Sequence, residues 1–201
     1  MTRQDRTVPW WGVISATAAP VLLIGGWTLA AARQHGGFDP VADTISALAA
    51  RGADDRWVMT TALAGLGVCH VVTALALRPA RPPGRLVLGV GGVATVLVAV
   101  FPLPSGDGSS QAHSTVAGIA FLCLGLWPLA AWRGAAPGLL RRTPSVVAGL
   151  VLLGLVGWFF VELTSDTARV GLAERLAAGA QALWPLAVVG SVIGAMRRRR
   201  S

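Results

Sequence analysis

Long apolar stretches alternate with short polar connections along the whole chain. Six stretches are long enough, at 1.5 Å of rise per helical residue, to cross the roughly 30 Å of hydrocarbon in a bilayer. They are predicted near residues 11–33, 57–77, 86–103, 113–132, 144–163 and 174–196. This pattern predicts an all-α polytopic membrane protein, a bundle of six transmembrane helices, with residues 1–201 as a single integral membrane domain.

The composition agrees with this pattern. Hydrophobic residues make up 54% of the 201 residues and charged residues only 13%, whereas soluble domains contain roughly 25% charged residues. The net charge of +8 is typical of nucleic-acid-binding proteins. However, no basic segment lies on a soluble fold, so we expect no nucleic-acid partner. The first apolar stretch follows Arg3 and Arg6, but it is too long for a signal-peptide core and is interpreted as a retained helix.

The distribution of arginine predicts the orientation. The N-terminus, the second and fourth connections and the C-terminus together carry twelve arginines and one acid, a net charge of +11. The other side of the predicted bundle carries five arginines and eight acids, a net charge of −3. Because positive loops stay in the cytoplasm, both termini are expected to be cytoplasmic. The absence of lysine suggests a GC-rich bacterial coding sequence, and hence the plasma (inner) membrane.

Small residues, prolines and thiols lie inside the predicted helices. Gly190 and Gly194 form a Gly-xxx-Gly pair, which favours either packing within the bundle or homodimerisation. The prolines that are expected to kink helices are Pro20, Pro128 and Pro185. The two cysteines, Cys69 and Cys123, are interpreted as small thiols rather than a disulfide.

The first outward connection contains signals for a short helix at the outer interface. Asp39 is a candidate N-cap, Pro40 fits the first helical position, and Gly52 fits the C-terminal stop. Asp43 and Ser46 share the polar face of this predicted helix, which is either a solvated surface or part of a site. Its apolar face consists of Val41, Ile45 and Leu48.

The third and fifth connections supply further polar candidates. His113 stands where the fourth span begins, and Glu162 and Asp166 are four residues apart after the fifth span. Ionisable groups at membrane depth are usually paired, so an ion pair between Glu162 and Arg175 is predicted. No ligand spacing in these connections indicates a metal site, and metal or cofactor use is left open.

His70 lies thirteen residues after Trp57, about 20 Å along the second predicted helix. At that depth it is interpreted as a neutral, hydrogen-bonded core histidine, with a proton-relay residue as the alternative. It is not expected to share a site with the outward connections unless the bundle is deeply hollow.

Several short motifs occur in a fixed order along the chain. Asp43-Thr44-Ile45-Ser46-Ala47-Leu48 follows the first span, Phe101-Pro102 ends the third, and His113 opens the fourth. Gly171-Leu172-Ala173-Glu174-Arg175 precedes the last span, which contains Leu183-Trp184. Over nearly its whole length the sequence resembles the bacterial and archaeal membrane family known as domain of unknown function 998. The resemblance implies six membrane spans and marks Asp43, Ser46, His113, Glu174 and Arg175, without an established activity.

These residues predict a polar site on the outward face that binds or acts on lipid head groups or another small molecule. The bilayer itself is the other expected partner, and the oligomeric state is left open. Arg175 is the candidate for binding a phosphate or carboxylate. The alternatives are a non-catalytic scaffold or accessory subunit, and a small transporter. The candidate acid, base and nucleophile residues are Asp43, Ser46, His113, Glu162, Asp166 and Glu174.

Overall fold

The computed structural model describes residues 7–106, 108–134, 136, 138–165 and 167–198. Over these residues the secondary structure is helical, without strands. The long helices are α1 Trp10–Ala31, α2 Trp57–Ala76, α3 Pro82–Val100, α4 Gln111–Ala131, α5 Arg142–Leu163 and α6 Val170–Arg198. All six are long and apolar enough to cross a membrane, which confirms the predicted six-span fold.

The helix limits lie within a few residues of the predicted spans. The largest differences are at two helix starts: α3 begins at Pro82 rather than near residue 86, and α6 begins at Val170 rather than near residue 174. Proline is favourable at the beginning of α3 because the first helical position needs no backbone N–H. The helix ends at Val100, just before Phe101-Pro102, as the sequence predicts.

The six helices form a ring in chain order. Each helix packs against its neighbours in sequence, and α6 returns to pack against α1. Connections 32–56, 101–110 and 164–169 meet at one end of this ring, which we call the acidic end. Connections 77–81 and 132–141, the start of α1 and the end of α6 form the opposite, basic end.

Glycine allows close helix packing at some positions and not at others. A Cβ on Gly67 would lie 2.5 Å from the carbonyl oxygen of Gly92, so α2 and α3 can approach this closely only with glycine there. By contrast, a Cβ built on Gly190 or Gly194 would meet no atom of the described residues within 4 Å, apart from its chain neighbours and the adjacent backbone of its own helix. Internal packing of this Gly-xxx-Gly pair was therefore a wrong expectation. The prolines Pro20, Pro128 and Pro185 lie inside helices as predicted, and both cysteines are free thiols.

The predicted interfacial α-helix in the first connection is not formed. Residues 40–43 form a turn, and a single 3₁₀ turn covers Ser46–Ala49. An α-helix would need a bond from the Ile45 N–H to the Val41 carbonyl. Instead, the Ile45 N–H donates to the Glu174 carboxylate, and the Val41 carbonyl accepts from the Leu172 N–H. Tertiary bonds to α6 have thus replaced the helical bond on both sides.

The remaining signals in this connection have local roles. The Asp39 side chain accepts from the Val41 N–H at 2.8 Å, so it stabilises a turn rather than capping a helix. Gly52 has a φ of +107°, which favours glycine, but it ends no helix, since the 3₁₀ turn already ends at Ala49. Ile45 and Leu48 are buried as predicted, whereas Val41 is exposed.

Candidate functional site

The start of α6 holds the first connection at the acidic end. Glu174 is only 3% exposed. Its carboxylate accepts one hydrogen bond from the Ile45 N–H at 2.5 Å and another from the Ser46 hydroxyl at 3.1 Å. A buried carboxylate is costly unless it is hydrogen-bonded, and these two donors provide that compensation. The structure therefore brings Ser46 and Glu174, two of the predicted site residues, into direct contact.

Arg175 binds the backbone of the same connection. Its Nη1 donates to the carbonyl oxygens of Pro40 at 2.8 Å, Asp43 at 2.7 Å and Gly171 at 3.0 Å. The guanidinium also lies over the Phe38 ring, 5.3 Å from its centroid. Arg175, which the sequence marks for anion binding, thus donates from Nη1 to backbone carbonyl groups. Its Nη2 is buried without a partner among the described residues.

The predicted ion pair between Glu162 and Arg175 is not formed. Glu162, at the end of α5, accepts hydrogen bonds from the indole N–H of Trp158 at 2.9 Å and from the Thr167 hydroxyl. The prediction was wrong because both residues bond to uncharged groups. Glu162 bonds to side chains within five residues of it, and Arg175 bonds mainly to backbone carbonyls of the first connection. Asp166, predicted to share a face with Glu162, lies outside the described residues.

His113 lies in the first turn of α4 and is mostly buried. Its Nδ1 is 2.8 Å from the carbonyl oxygen of Phe101, the residue that follows α3. Its backbone N–H is capped by the Ser110 hydroxyl, at 3.4 Å. The ring therefore joins the ends of α3 and α4. Among the described residues, His113 makes no hydrogen bond with Asp43, Ser46, Glu162 or Glu174, and no group of three metal-ligating side chains occurs.

A wide groove opens beside the first connection at the acidic end, and we call it the acidic groove. Its volume is about 480 Å³, and it runs between the first connection, Ser105-Gly106 of the third, and the start of α6. Its charged lining consists of Asp43, Arg51 and Asp54. The Arg51 guanidinium is exposed and makes no ion pair with the described residues.

Asp54 is held in place on the rim of this groove. Its carboxylate accepts from the backbone N–H of His35 at 2.9 Å and lies 3.2 Å from Nδ1 of the same residue. The backbone hydrogen bond from His35, and then the contact with its ring, keep the pKa of Asp54 below its usual value. The carboxylate is therefore ionised at neutral pH, and the groove contains charges of both signs.

A second, smaller space lies between the helices of the bundle, and we call it the central cavity. Its volume is about 50 Å³, and helices α1, α2, α3, α4 and α6 line it. Ser46 and Glu174 line its acidic end, and His70 lines it deeper in the membrane region. His70 thus lines the same space as two of the outward residues, which was expected only for a deeply hollow bundle.

His70 also differs from the predicted hydrogen-bonded core histidine. It is 1% exposed, and neither ring nitrogen has a hydrogen-bond partner among the described residues. A buried polar atom left unpaired costs about 1–3 kcal/mol. By comparison, the buried hydroxyls nearby are satisfied, since Thr73 donates to Ser15 at 3.1 Å and Ser15 donates to the Cys69 carbonyl at 2.7 Å.

Comparisons with known proteins identify the family of this chain but no chemical activity. The sequence model of a family described as protein of unknown function DUF998 matches residues 17–191. The chain belongs to this family. A search of curated proteins and a search of solved structures each found no match. The matched range includes every described residue of the acidic groove and the central cavity, so both lie within the DUF998 region of the chain.

Several residues of the two spaces were missed in the sequence. Arg51 and Asp54 were not among the predicted site residues, and nothing in the sequence placed them opposite Ser105-Gly106. Gln181 could have been found, because a polar residue in the middle of an apolar span is a signal of function or of a buried hydrogen bond. Its amide nitrogen donates to the Phe121 carbonyl at 2.8 Å, and its side chain lines the central cavity.

Proposed function

We propose that this DUF998 protein binds a zwitterionic lipid head group in the acidic groove, with the acidic end on the extracytoplasmic face of the plasma membrane. The observation that carries the proposal is the groove itself, an open space of about 480 Å³ whose lining includes charges of both signs. A groove at the ends of six membrane helices lies at the depth of lipid head groups.

The charges of the groove fit the two parts of such a head group. The Arg51 guanidinium supplies the fork of donors that matches a phosphate. Asp43 and Asp54 supply carboxylates for a primary ammonium. Glu174 and Arg175 stabilise the wall through the backbone of the first connection, so they act as positioning residues in this proposal rather than as ligands.

Lipid retention measures this binding. The purified protein is released from bilayers containing equal amounts of phosphatidylethanolamine and phosphatidylglycerol, and retained lipids are counted by native mass spectrometry. We expect phosphatidylethanolamine to be preferred, because only its head group carries an ammonium. Arg51→Gln should lower its retention about tenfold, as expected for the loss of a charge-assisted hydrogen bond of about 1.5–3 kcal/mol.

Matched variants separate the groove from general charge effects. Asp54→Asn should also weaken retention, whereas Arg78→Gln, which removes an exposed arginine at the basic end, should leave it unchanged. Equal retention of the two lipids, or an Arg51→Gln protein that retains phosphatidylethanolamine normally, would contradict the proposal.

The proposed orientation has a separate test with two matched glycines. No described atom lies within 4 Å of a Cβ on Gly36 at the acidic end or on Gly134 at the basic end. In a protein lacking Cys69 and Cys123, we expect an impermeant maleimide to label Gly36→Cys in intact cells and Gly134→Cys only after lysis. The reverse pattern would place the acidic end in the cytoplasm.

A second candidate function, the non-catalytic scaffold, is favoured by one observation. Glu174 and Arg175 together make hydrogen bonds to four backbone groups, from Pro40, Asp43, Ile45 and Gly171. Such bonds stabilise the fold without any ligand. Normal lipid retention by the groove variants would favour this alternative.

A further inference from the structure

Apart from Glu174, which also positions the first connection, the polar side chains that line the central cavity have no role in the proposed head-group binding. Glu174 lies one turn after the start of α6, and Gln181 follows seven residues later on the same helical face. His70 faces the cavity from α2 and Thr95 from α3. These polar side chains, together with Ser46, form a short path along the cavity. The other side chains that line the cavity are apolar.

Among the described residues, His70 is the polar group of this path for which no hydrogen-bond partner is found. A neutral imidazole offers one donor and one acceptor, and a protonated imidazole offers two donors. Buried polar groups in folded proteins almost always have partners, either in the protein or in ordered water. The Thr95 hydroxyl and the Gln181 amide already donate to the carbonyls of Gly91 and Phe121, both at 2.8 Å. An imidazole at the wall of a cavity is therefore arranged for a partner inside that cavity.

We propose that the central cavity is a hydrated proton-binding site, in which a few water molecules connect the His70 imidazole with the Glu174 carboxylate. Its volume of about 50 Å³ has room for a few waters, since each needs roughly 10–15 Å³ of such space and two to four polar partners. The same volume excludes a lipid head group. The proposal is independent of the acidic groove, which lies outside the bundle.

The proton transfer within this site is balanced without another reactant. Imidazolium at His70 gives a ring N–H proton to the adjacent water, and each water passes one proton to the next. The last water gives its proton to a Glu174 carboxylate oxygen. A charged pair is thereby replaced by a neutral imidazole and a neutral carboxylic acid, and the waters are regenerated.

The surroundings restrict which groups take part. Among the described lining residues, the titratable side chains are His70 from α2 and Glu174 from α6; α1, α3 and α4 contribute uncharged ones such as Leu23, Thr95 and Phe121. The nearby Arg175 guanidinium is directed to backbone carbonyls and does not line the cavity.

Leu124 forms part of the cavity wall and also belongs to the packed cluster around the fully buried Trp127. Ser46 and Glu174 line the cavity nearer the acidic end. In this proposal, water and protons therefore reach His70 from the acidic end.

Water contact with His70 can be measured by solid-state NMR on the full-length protein in bilayers, with ¹⁵N-labelled histidine. Polarisation is transferred from water protons to the ring nitrogens, and exposed His35 serves as the internal positive control. We expect the His70 ring to receive polarisation from water and its nitrogen shifts to change with pH. Glu174→Gln should alter that pH dependence, because a neutral amide replaces the carboxylate that accepts the proton in this proposal.

A cavity-filling variant tests the geometry. Ala120 lines the cavity, so Ala120→Leu should reduce water polarisation at His70 several-fold and leave His35 unchanged. If this variant does not fold, Ala117→Val fills less of the same space and serves instead. A His70 ring without water polarisation in the parent protein, or one whose shifts do not depend on pH, would overturn the proposal.

Discussion

The two halves of the bundle use polar groups in different ways. In the basic half, Ser15 and Thr73 bond to each other and to a backbone carbonyl, and apolar side chains close around Trp127. Towards the acidic end, Glu174 is buried beside the central cavity and the connections above it form a charged groove, while His70, which has no hydrogen-bond partner among the described residues, lines the deeper part of that cavity. The basic half is a packed support, and the acidic half contains the spaces in which a ligand can bind.

This difference has a physical origin in the connections. The basic connections are short, and helices there meet closely: a Cβ on Gly84 would lie 2.3 Å from the Cα of Ala131. The first acidic connection is long and irregular, and it is held by side chains of α6 rather than by its own helical bonds. Such tertiary anchoring leaves room between the elements, since irregular backbone cannot pack as closely as helices.

The largest expected effect on stability comes from a substitution in the packed core of the basic half. Trp127 is fully buried, so Trp127→Ala should lower the free energy of unfolding by about 2–4 kcal/mol, somewhat less than in a soluble core because lipid is itself apolar. Unfolding in detergent measures the change. Leu126→Ala, at a neighbouring lipid-facing position that is 41% exposed, should cost much less. Equal costs would mean that the basic half is not the support.

Trp127→Phe refines this experiment. The Trp127 indole nitrogen has no hydrogen-bond partner among the described residues, so phenylalanine loses volume but no bond. We expect a cost well below that of alanine. A cost as large as that of Trp127→Ala would show that the indole N–H, and not packing, stabilises this half.

An intermediate effect is expected where α6 anchors the first connection. A Cβ on Gly171 would lie 2.2 Å from the carbonyl oxygen of Asp43. Gly171→Ala should therefore destabilise the protein by about 1–3 kcal/mol, as overpacking does, and increase hydrogen exchange in residues 40–46. Gly190→Ala is the matched control, since its Cβ meets open space. If both variants behave alike, the anchoring has no energetic importance.

The smallest effect concerns the rim of the acidic groove. Because the pKa of Asp54 is lowered by the His35 hydrogen bonds, the stabilisation that they provide is present above the usual aspartate pKa of about 3.9. It is lost as the pH falls through the lower folded-state value. Hydrogen exchange at the His35 amide should therefore quicken at acidic pH beyond its intrinsic dependence. Asp54→Asn should remove this additional acceleration, and its persistence would contradict the assignment.

The spans were predictable because each is a local property of the sequence. The length of each apolar stretch and the position of Pro102 can be read directly along the chain. The same is true of the arginine distribution, and none of these features depends on tertiary contacts. The first connection was not predictable in the same way. Its cap, periodicity and stop signals fit an α-helix, but Ile45 and Val41 form their bonds with α6, more than 120 residues away. No local pattern contains that information.

The candidate site was predicted in part for the same reason. Asp43, Ser46, Glu174 and Arg175 do meet at the acidic end, whereas His113 and Glu162 bond to groups near their own helix ends. His70 lies on α2, as its place in the second apolar stretch predicts. Its access to Glu174 depends on the hollow inside the helix ring, which is a property of packing and not of position.

The most direct test of a functional acidic half is a crystal structure of the protein grown from a lipid mesophase containing phosphatidylethanolamine. We predict head-group density in the acidic groove against Arg51 and Asp54, ordered water between His70 and Glu174, and a dry core around Trp127. Lipid bound only at the basic end, with an empty groove and a dry central cavity, would contradict the account.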